Sequence, residues 1–168
     1  MVSIDIDWSS YDSHTKSIFF GGNNLPYFNW ECAPKGLKEI NLFFNGMSNF
    51  NWEGCPPTLE KIVLWDNNLT DFTWENAPPG LKEVNLSYNN LTHFTWENAP
   101  PGLKRVNLYR NQISDFNWKG CPQGIEEIDL GCNGLTQFTW DNAPQGLKKI
   151  RLFVNRISNF NWKGCPPT

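Results

Sequence analysis

The chain has 168 residues, of which 39% are hydrophobic, and its formal net charge is −3. This length allows one modest core, and the weak negative charge, without any basic cluster, argues against a nucleic-acid partner. The first ten residues, MVSIDIDWSS, are too polar for a signal peptide, and no apolar run approaches the ~20 residues of a membrane span, so we expect no membrane association.

Residues 1–14 differ from the rest of the chain, which repeats with a period of 22 residues. Eight of the nine tryptophans follow this period, at residues 8, 30, 52, 74, 96, 118, 140 and 162. With Leu37 as position 1, the unit reads L-x-x-[IV]-x-L-x-x-N-x-[LIM]-[ST]-x-F-x-W-x-x-[AC]-P-x-[GT]. We therefore predict an N-terminal cap over 1–14, seven repeats over 15–168 and no C-terminal cap.

Stretches such as LKEVNLSYNNL (81–91) and LKRVNLYRNQI (103–113) resemble the leucine-rich-repeat family, and the resemblance covers 15–168. The second half of the unit, as in FTWENAPPG, is similar to the short proline-containing bacterial repeats and, more loosely, to the FNIP-type repeats of amoebae and large DNA viruses. The resemblance implies a leucine-rich-repeat solenoid with a single-layer parallel β-sheet on its concave face. It also implies a binding function, either alone or as the targeting domain of a larger effector enzyme.

Positions 3 to 7 of each unit are predicted to form a strand, because apolar and polar residues alternate there with a period of two. In the unit that begins at Leu81, Val84 and Leu86 should point inward, and Glu83 and Asn85 outward. Position 3 alternates in sign through six consecutive units, which favours stacking in register because cross-strand neighbours then attract one another. Its residues are Glu39, Lys61, Glu83, Arg105, Glu127 and Lys149.

The second half of the unit predicts an extended, polyproline or 3-10 convex side with almost no α-helix. Proline at position 20 of every unit excludes a regular helix, and Thr or Asn at position 15 can cap one short turn. Position 18 is Gly or Asn in every unit except that of Cys32, which predicts a left-handed turn. Asn at position 9 is expected to satisfy backbone groups of adjacent coils. The periodic tryptophans should be mostly buried, and Trp65, at position 7, accessible.

No residue pattern predicts catalysis, a metal or a cofactor. The two histidines, His14 and His93, do not accompany a C-x-x-C pair, and the sequence lacks the common nucleotide-binding and hydrolase motifs. An odd number of cysteines, five, predicts free thiols in a reducing compartment. We therefore expect a non-enzymatic cytoplasmic protein, located in a host cytoplasm if the chain is viral or an effector.

Variation between the units indicates a binding surface on the concave face, for a protein partner or, as the alternative, a carbohydrate. Aromatic side chains at positions 7 and 8 of a solvated sheet face indicate an interaction site. The alternative explanation is structural: such side chains can stabilise the strands by cross-strand stacking. Glycan binding would require coplanar, evenly spaced rings. The candidate residues are Phe43, Phe44, Trp65, Asp66, Asn85, Tyr88, Asn107, Tyr109, Arg110, Asp129 and Phe153.

The last unit is predicted to expose one side of its core. A solenoid needs a polar cap at each end of its core, and FNWKGCPPT supplies none. The array either continues or associates with a second copy, most simply through two-fold symmetry. We expect a homodimer at high concentration, formed through Leu147, Ile150, Leu152, Ile157, Phe160 and Trp162.

Overall fold

The computed structural model describes residues 6–167, which form a parallel β-solenoid. Each 22-residue coil contributes one three-residue strand to a single sheet, and the strands follow chain order. The one helix among the described residues is a 3-10 helix, Trp8–Ser10. The predicted leucine-rich-repeat fold is therefore confirmed. The strands are β1 (Ser17–Phe19), β2 (Glu39–Asn41), β3 (Lys61–Val63), β4 (Glu83–Asn85), β5 (Arg105–Asn107), β6 (Glu127–Asp129) and β7 (Lys149–Arg151).

The strands cover positions 3 to 5 of each coil and end earlier than predicted. In the four coils that have Asn or Asp at position 5, a side-chain hydrogen bond accompanies this strand end. There the side-chain Oδ1 accepts a hydrogen bond from the backbone N–H of position 7, as between Asn107 and Tyr109 at 3.0 Å. That N–H takes no part in the inter-strand pairing. The pairing resumes at position 8, as where Tyr88 N donates to the Tyr109 carbonyl of the next coil at 2.8 Å.

The core is a set of stacked rows, one for each inward position of the repeat. The six tryptophans from Trp30 to Trp140 are 1–4% exposed, as predicted. Trp8, in the 3-10 helix, is also mostly buried, whereas the prediction is wrong for Trp162, which is 70% exposed. The ring of Trp162 stacks on that of Trp140, with centroids 6.1 Å apart, and no described residue stacks on its other face.

The row of asparagines at position 9 connects the coils, as predicted. Oδ1 of Asn67 accepts hydrogen bonds from Asn45 N at 3.1 Å and Met47 N at 3.0 Å. Its Nδ2 donates to the carbonyls of Leu42 at 3.0 Å and Leu64 at 3.1 Å. A buried amide therefore satisfies backbone groups that have left the strand pairing.

The convex side consists of tight turns instead of helices. In each coil the backbone N–H of position 19 donates to the carbonyl of position 16, as from Ala77 to Trp74 at 2.9 Å. Position 18 is left-handed as predicted, and Cys32, with a φ of 65°, adopts the same backbone although it is neither Gly nor Asn. All five cysteines are free thiols, and burial raises the pKa of Cys55 and of Cys121 to about 12.

Two rows of charged side chains lie across the coils. The predicted position-3 row is in register, and Lys61 pairs with Glu39 at 2.9 Å while Arg105 contacts Glu83. A second row at position 2 was not predicted. In it, Lys38 and Lys82 both contact Glu60 at 2.5 Å. Their hydrogen bonds lower the pKa of Glu60 to about 2.

Residues 6–14 pack on the first coil. Ile6 is buried, and the ring of Trp8 meets that of Phe28 edge-on at 6.2 Å. The other part of the predicted cap, residues 1–5, lies outside the described residues, so the cap over 1–14 stays a prediction.

Candidate binding surface

Five aromatic side chains form a continuous series of ring contacts beside the carboxyl ends of the strands. We call Phe43, Trp65, Tyr88, Tyr109 and Phe153 the aromatic ladder. Successive ring centroids are separated by 5.6, 5.8, 5.5 and 5.7 Å. Separations in this range are typical of interacting aromatic pairs. The structure thus brings together five of the predicted site residues from five different coils.

Two substitutions in the repeat shape the ladder. In the coil of β4, position 7 is Ser87, which is buried with its hydroxyl donating to Asn85 Oδ1 at 2.6 Å, and Tyr88 at position 8 supplies the ring. In the coil of β6, position 7 is Gly131. A Cβ atom there would lie 2.6 Å from Cε1 of Phe153, so the missing side chain makes room for the Phe153 ring to reach Tyr109.

The backbone at position 8 is left-handed in all seven coils. Position 18 shares this backbone, and there six of seven residues are Gly or Asn, which tolerate it best. At position 8, Gly22 fits this preference and Asp66 is of a type that also adopts it, whereas each of the other five residues there costs roughly 1–2 kcal/mol. Folding alone therefore does not account for the residues that occupy it. They are Phe44, Asp66, Tyr88, Arg110, Cys132 and Val154, with φ of 51–55°.

Charged and polar groups accompany the rings. The guanidinium carbon of Arg110 lies 5.1 Å from the centre of the Tyr88 ring, within the range of a cation–π contact. A side-chain hydrogen bond with Cys132 raises the pKa of Tyr109. Among the described residues, neither Asp66 nor Arg110 forms an ion pair. One basic group, Arg110, therefore lies on a ladder ring, and one acidic group, Asp66, lies beside Phe44.

A groove of about 300 Å³ lies along the strands next to the ladder. Its walls are side chains of positions 3 and 5. Asn85, Asn107 and Asp129 line this groove, and they also hold the backbone of position 7 through Oδ1. Arg151 pairs with Asp129 at 3.2 Å.

The predicted site residues differ in exposure. Trp65, predicted to be accessible, is half-buried because the rings of Phe43 and Tyr88 contact it on both sides. Phe44 is 63% exposed and makes no ring contact with another described aromatic residue. Sequence reasoning missed Phe19, which is 68% exposed on β1. An aromatic residue at outward position 5 was the signal that could have identified it.

Other classes of site receive no support within residues 6–167. No group of three or more His, Cys, Asp or Glu side chains is placed to hold a metal ion. No described helix is long and apolar enough to cross a membrane.

Solved structures with a similar fold are leucine-rich-repeat proteins. The leucine-rich-repeat domain of a Shigella effector matches with a TM-score of 0.67 and 20% identity, covering 88% of this chain and 62% of that one. A leucine-rich-repeat protein of Leptospira interrogans matches with a TM-score of 0.73 and 26% identity, covering 83% and 37%. An internalin of Listeria monocytogenes matches with a TM-score of 0.71 and 18% identity, covering 90% and 45%.

These likenesses establish a shared fold, and this chain spans less than two thirds of the length of each of the three proteins. No protein-family model and no curated protein sequence matches the chain.

Proposed function

We propose that this chain, which is a leucine-rich-repeat solenoid by fold, is a non-enzymatic scaffold that binds a protein partner on the sheet face carrying the aromatic ladder. The observation that carries this proposal is the position-8 row. Bulky and charged side chains occupy a left-handed backbone there, although the same chain places Gly or Asn on that backbone at position 18. Strain of this kind is retained where a side chain has a task beyond folding. Tyr, Trp and Arg are also the residue types enriched at binding hot spots.

The orientation of the rings favours a protein partner over the carbohydrate alternative. Stacking on sugar rings requires coplanar, evenly spaced aromatic platforms. In the ladder, successive rings are inclined at 31°, 83°, 72° and 36° to one another. Such a surface offers ring edges as well as faces, which suits the mixed chemistry of a polypeptide.

A double variant, Tyr88→Asn with Arg110→Asn, tests the proposal. Asn fits the left-handed backbone, so we expect the free energy of unfolding to be unchanged or higher and the partner to be lost from pull-downs out of the native cytosol. Tyr27→Asn is the matched control, because Tyr27 is 66% exposed at position 13, away from the ladder. A double variant that unfolds more easily yet captures the same partner would show that these side chains serve the fold.

The free thiols bear on the cellular compartment of the chain. Five free cysteines, with Cys32 exposed, support a reducing compartment, so we propose a cytoplasmic location, or a host cytoplasm for an effector.

A second candidate function, the targeting domain of a larger effector, is supported by the likeness to the Shigella effector domain, which is longer than this chain. Fusion of the chain to a reporter enzyme and localisation in host cells would test it.

We also propose that a second copy binds on the last described coil at high concentration. Trp162 is 70% and Phe160 42% exposed there, and a cavity of about 560 Å³ lies between Trp140 and Pro167. The edge of β7 carries Lys149 and Arg151, which would repel their equivalents, so we place the contact on the Trp162 side. Light scattering across a dilution series should show a dimer that Trp162→Ser abolishes. A monomer at millimolar concentration would contradict this.

A further inference from the structure

Hydrogen-bond donors predominate on the outward face of the sheet. The Oδ1 atoms of Asn41, Asn85 and Asn107 each accept a hydrogen bond from the backbone N–H two residues later, at 3.0–3.2 Å. Asp129 accepts in the same way and also pairs with Arg151. The Nδ2 groups of the three asparagines donate to no other described residue. A ligand that lies along this row therefore meets free Nδ2–H donors. The Oδ1 atoms of the same side-chain amides already accept backbone hydrogen bonds.

The carboxylates next to this row are also engaged, with one exception. Glu83 and Glu127 both contact Arg105, and Glu39 pairs with Lys61. The exception is Asp66, which follows Trp65 of the ladder in the chain and lies near Phe44, and for which the described residues supply no cationic partner.

The spacing of the coils matches one regular polypeptide conformation. Neighbouring parallel strands are ~4.8 Å apart, so two coils span about 9.6 Å. A polyproline II helix rises ~3.1 Å per residue with three residues per turn, so the same face returns every ~9.3 Å. Laid along the solenoid axis, such a helix presents one face to every second coil, as at the coils of Trp65 and Tyr109. Beyond Tyr109 the ring spacing is shorter, because the Phe153 ring crosses Gly131 and lies 5.7 Å from that of Tyr109. A β-strand presents the same face every ~6.7 Å, which matches neither one coil nor two.

From these observations we propose that the aromatic ladder binds a proline-rich polypeptide segment in the polyproline II conformation. Its proline rings pack on the ladder, its carbonyls accept hydrogen bonds from Nδ2 of Asn85 and Asn107, and a Lys or Arg of the segment lies beside Asp66. Proline has no backbone N–H. The prolines of the segment therefore offer carbonyl acceptors and add no backbone donors that would need partners. This inference rests on the proposed function, because it specifies the chemistry of the protein partner on that surface.

Fluorescence anisotropy with two labelled peptides tests the proposal on the whole chain. One peptide contains about nine prolines flanked by lysines, enough to span the ladder. The other replaces the prolines by Thr and Val and keeps the charge and length. We expect the proline peptide to bind with a Kd below ~1 mM and the other peptide to bind at least about tenfold more weakly.

Three variants locate the peptide. Trp65→Ala should weaken binding at least about tenfold. Asn107→Asp keeps the oxygen that accepts from Tyr109 N, as Asp129 does for Gly131 in the next coil, but replaces the Nδ2 donor by a second acceptor. It should therefore weaken binding at least about fivefold with an unchanged unfolding midpoint. Gly131→Ala should weaken binding by displacing Phe153, and Gly146→Ala, where the added Cβ meets nothing closer than 3.9 Å, is its control.

Three results would overturn the proposal: no binding of the proline peptide at 1 mM chain, equal binding of both peptides, or binding that Trp65→Ala leaves unchanged. The proposed function fails separately, because it predicts loss of the cytosolic partner in the double variant of Tyr88 and Arg110. A partner captured through that surface but indifferent to proline peptides would refute this inference and still support a protein-binding scaffold.

Discussion

The indole Nε1 of Trp96 donates a hydrogen bond of 3.1 Å to the backbone carbonyl of Asn117, in the next coil. The same bond recurs in six coils, at 2.8–3.1 Å. On the convex side, where no sheet joins the coils, these indoles connect each turn to the one that follows. This explains why position 16 holds a large residue that carries a hydrogen-bond donor, and not Phe.

Trp96→Phe should lower the free energy of unfolding by roughly 2–4 kcal/mol, since it removes both ring volume and the hydrogen bond to Asn117. Trp162→Phe is the matched control, because that ring is 70% exposed and its Nε1 donates to no described residue. Urea unfolding followed by circular dichroism measures both. Equal losses in the two variants would mean that the indole bond contributes nothing.

Asn67→Ala should be among the most destabilising single substitutions, with a loss of about 3 kcal/mol or more, because it leaves several buried backbone groups without a partner. Asn68→Ala, one residue further on and exposed, should change the unfolding free energy by less than about 0.5 kcal/mol. The comparison uses the same unfolding assay. A loss below about 1 kcal/mol for Asn67→Ala would contradict the structural role of the position-9 row.

The stability of the chain should depend on pH through Glu60. Its pKa in the folded chain is about 2, below the ordinary 4.5, because Lys38 and Lys82 hydrogen-bond its carboxylate. Its contribution is therefore complete above pH ~4.5 and is lost as the pH falls toward ~2. Glu60→Gln should lower the thermal midpoint at pH 7 and make little difference at pH 2. Glu53→Gln, on the exposed convex side, is the control, and a deficit that persists at pH 2 would exclude this ionic origin.

The cysteines should react at very different rates. Cys32 is exposed, whereas burial raises the pKa of Cys121 to about 12 and leaves little thiolate at pH 8. With a thiol-reactive disulfide reagent, we expect Cys32→Ser to remove the fastest phase and Cys121→Ser to leave it intact. Denatured chain without reductant should show five thiols. A count of three or fewer would mean that a disulfide forms.

The fold could be predicted because each feature is present in one unit and is repeated. The alternation around Val84, proline at position 20 and the asparagine row each act within one coil or between neighbours. The left-handed backbone at position 8 could not be predicted, since Phe44, Arg110 and Val154 are residue types that disfavour it.

The continuity of the aromatic ladder could not be predicted from the sequence either. It depends on the ring of Phe153 crossing Gly131 to reach Tyr109, a contact between coils that are not adjacent. Such a contact follows from the space left by a missing side chain in three dimensions, which no periodic pattern encodes.

The alternating signs at position 3 also constrain how such an array can lengthen or shorten. Removing one coil from the middle would place two like charges side by side, such as Glu39 next to Glu83, whereas removing two adjacent coils would restore an attractive neighbour. Duplication in pairs is therefore the step this sheet tolerates best.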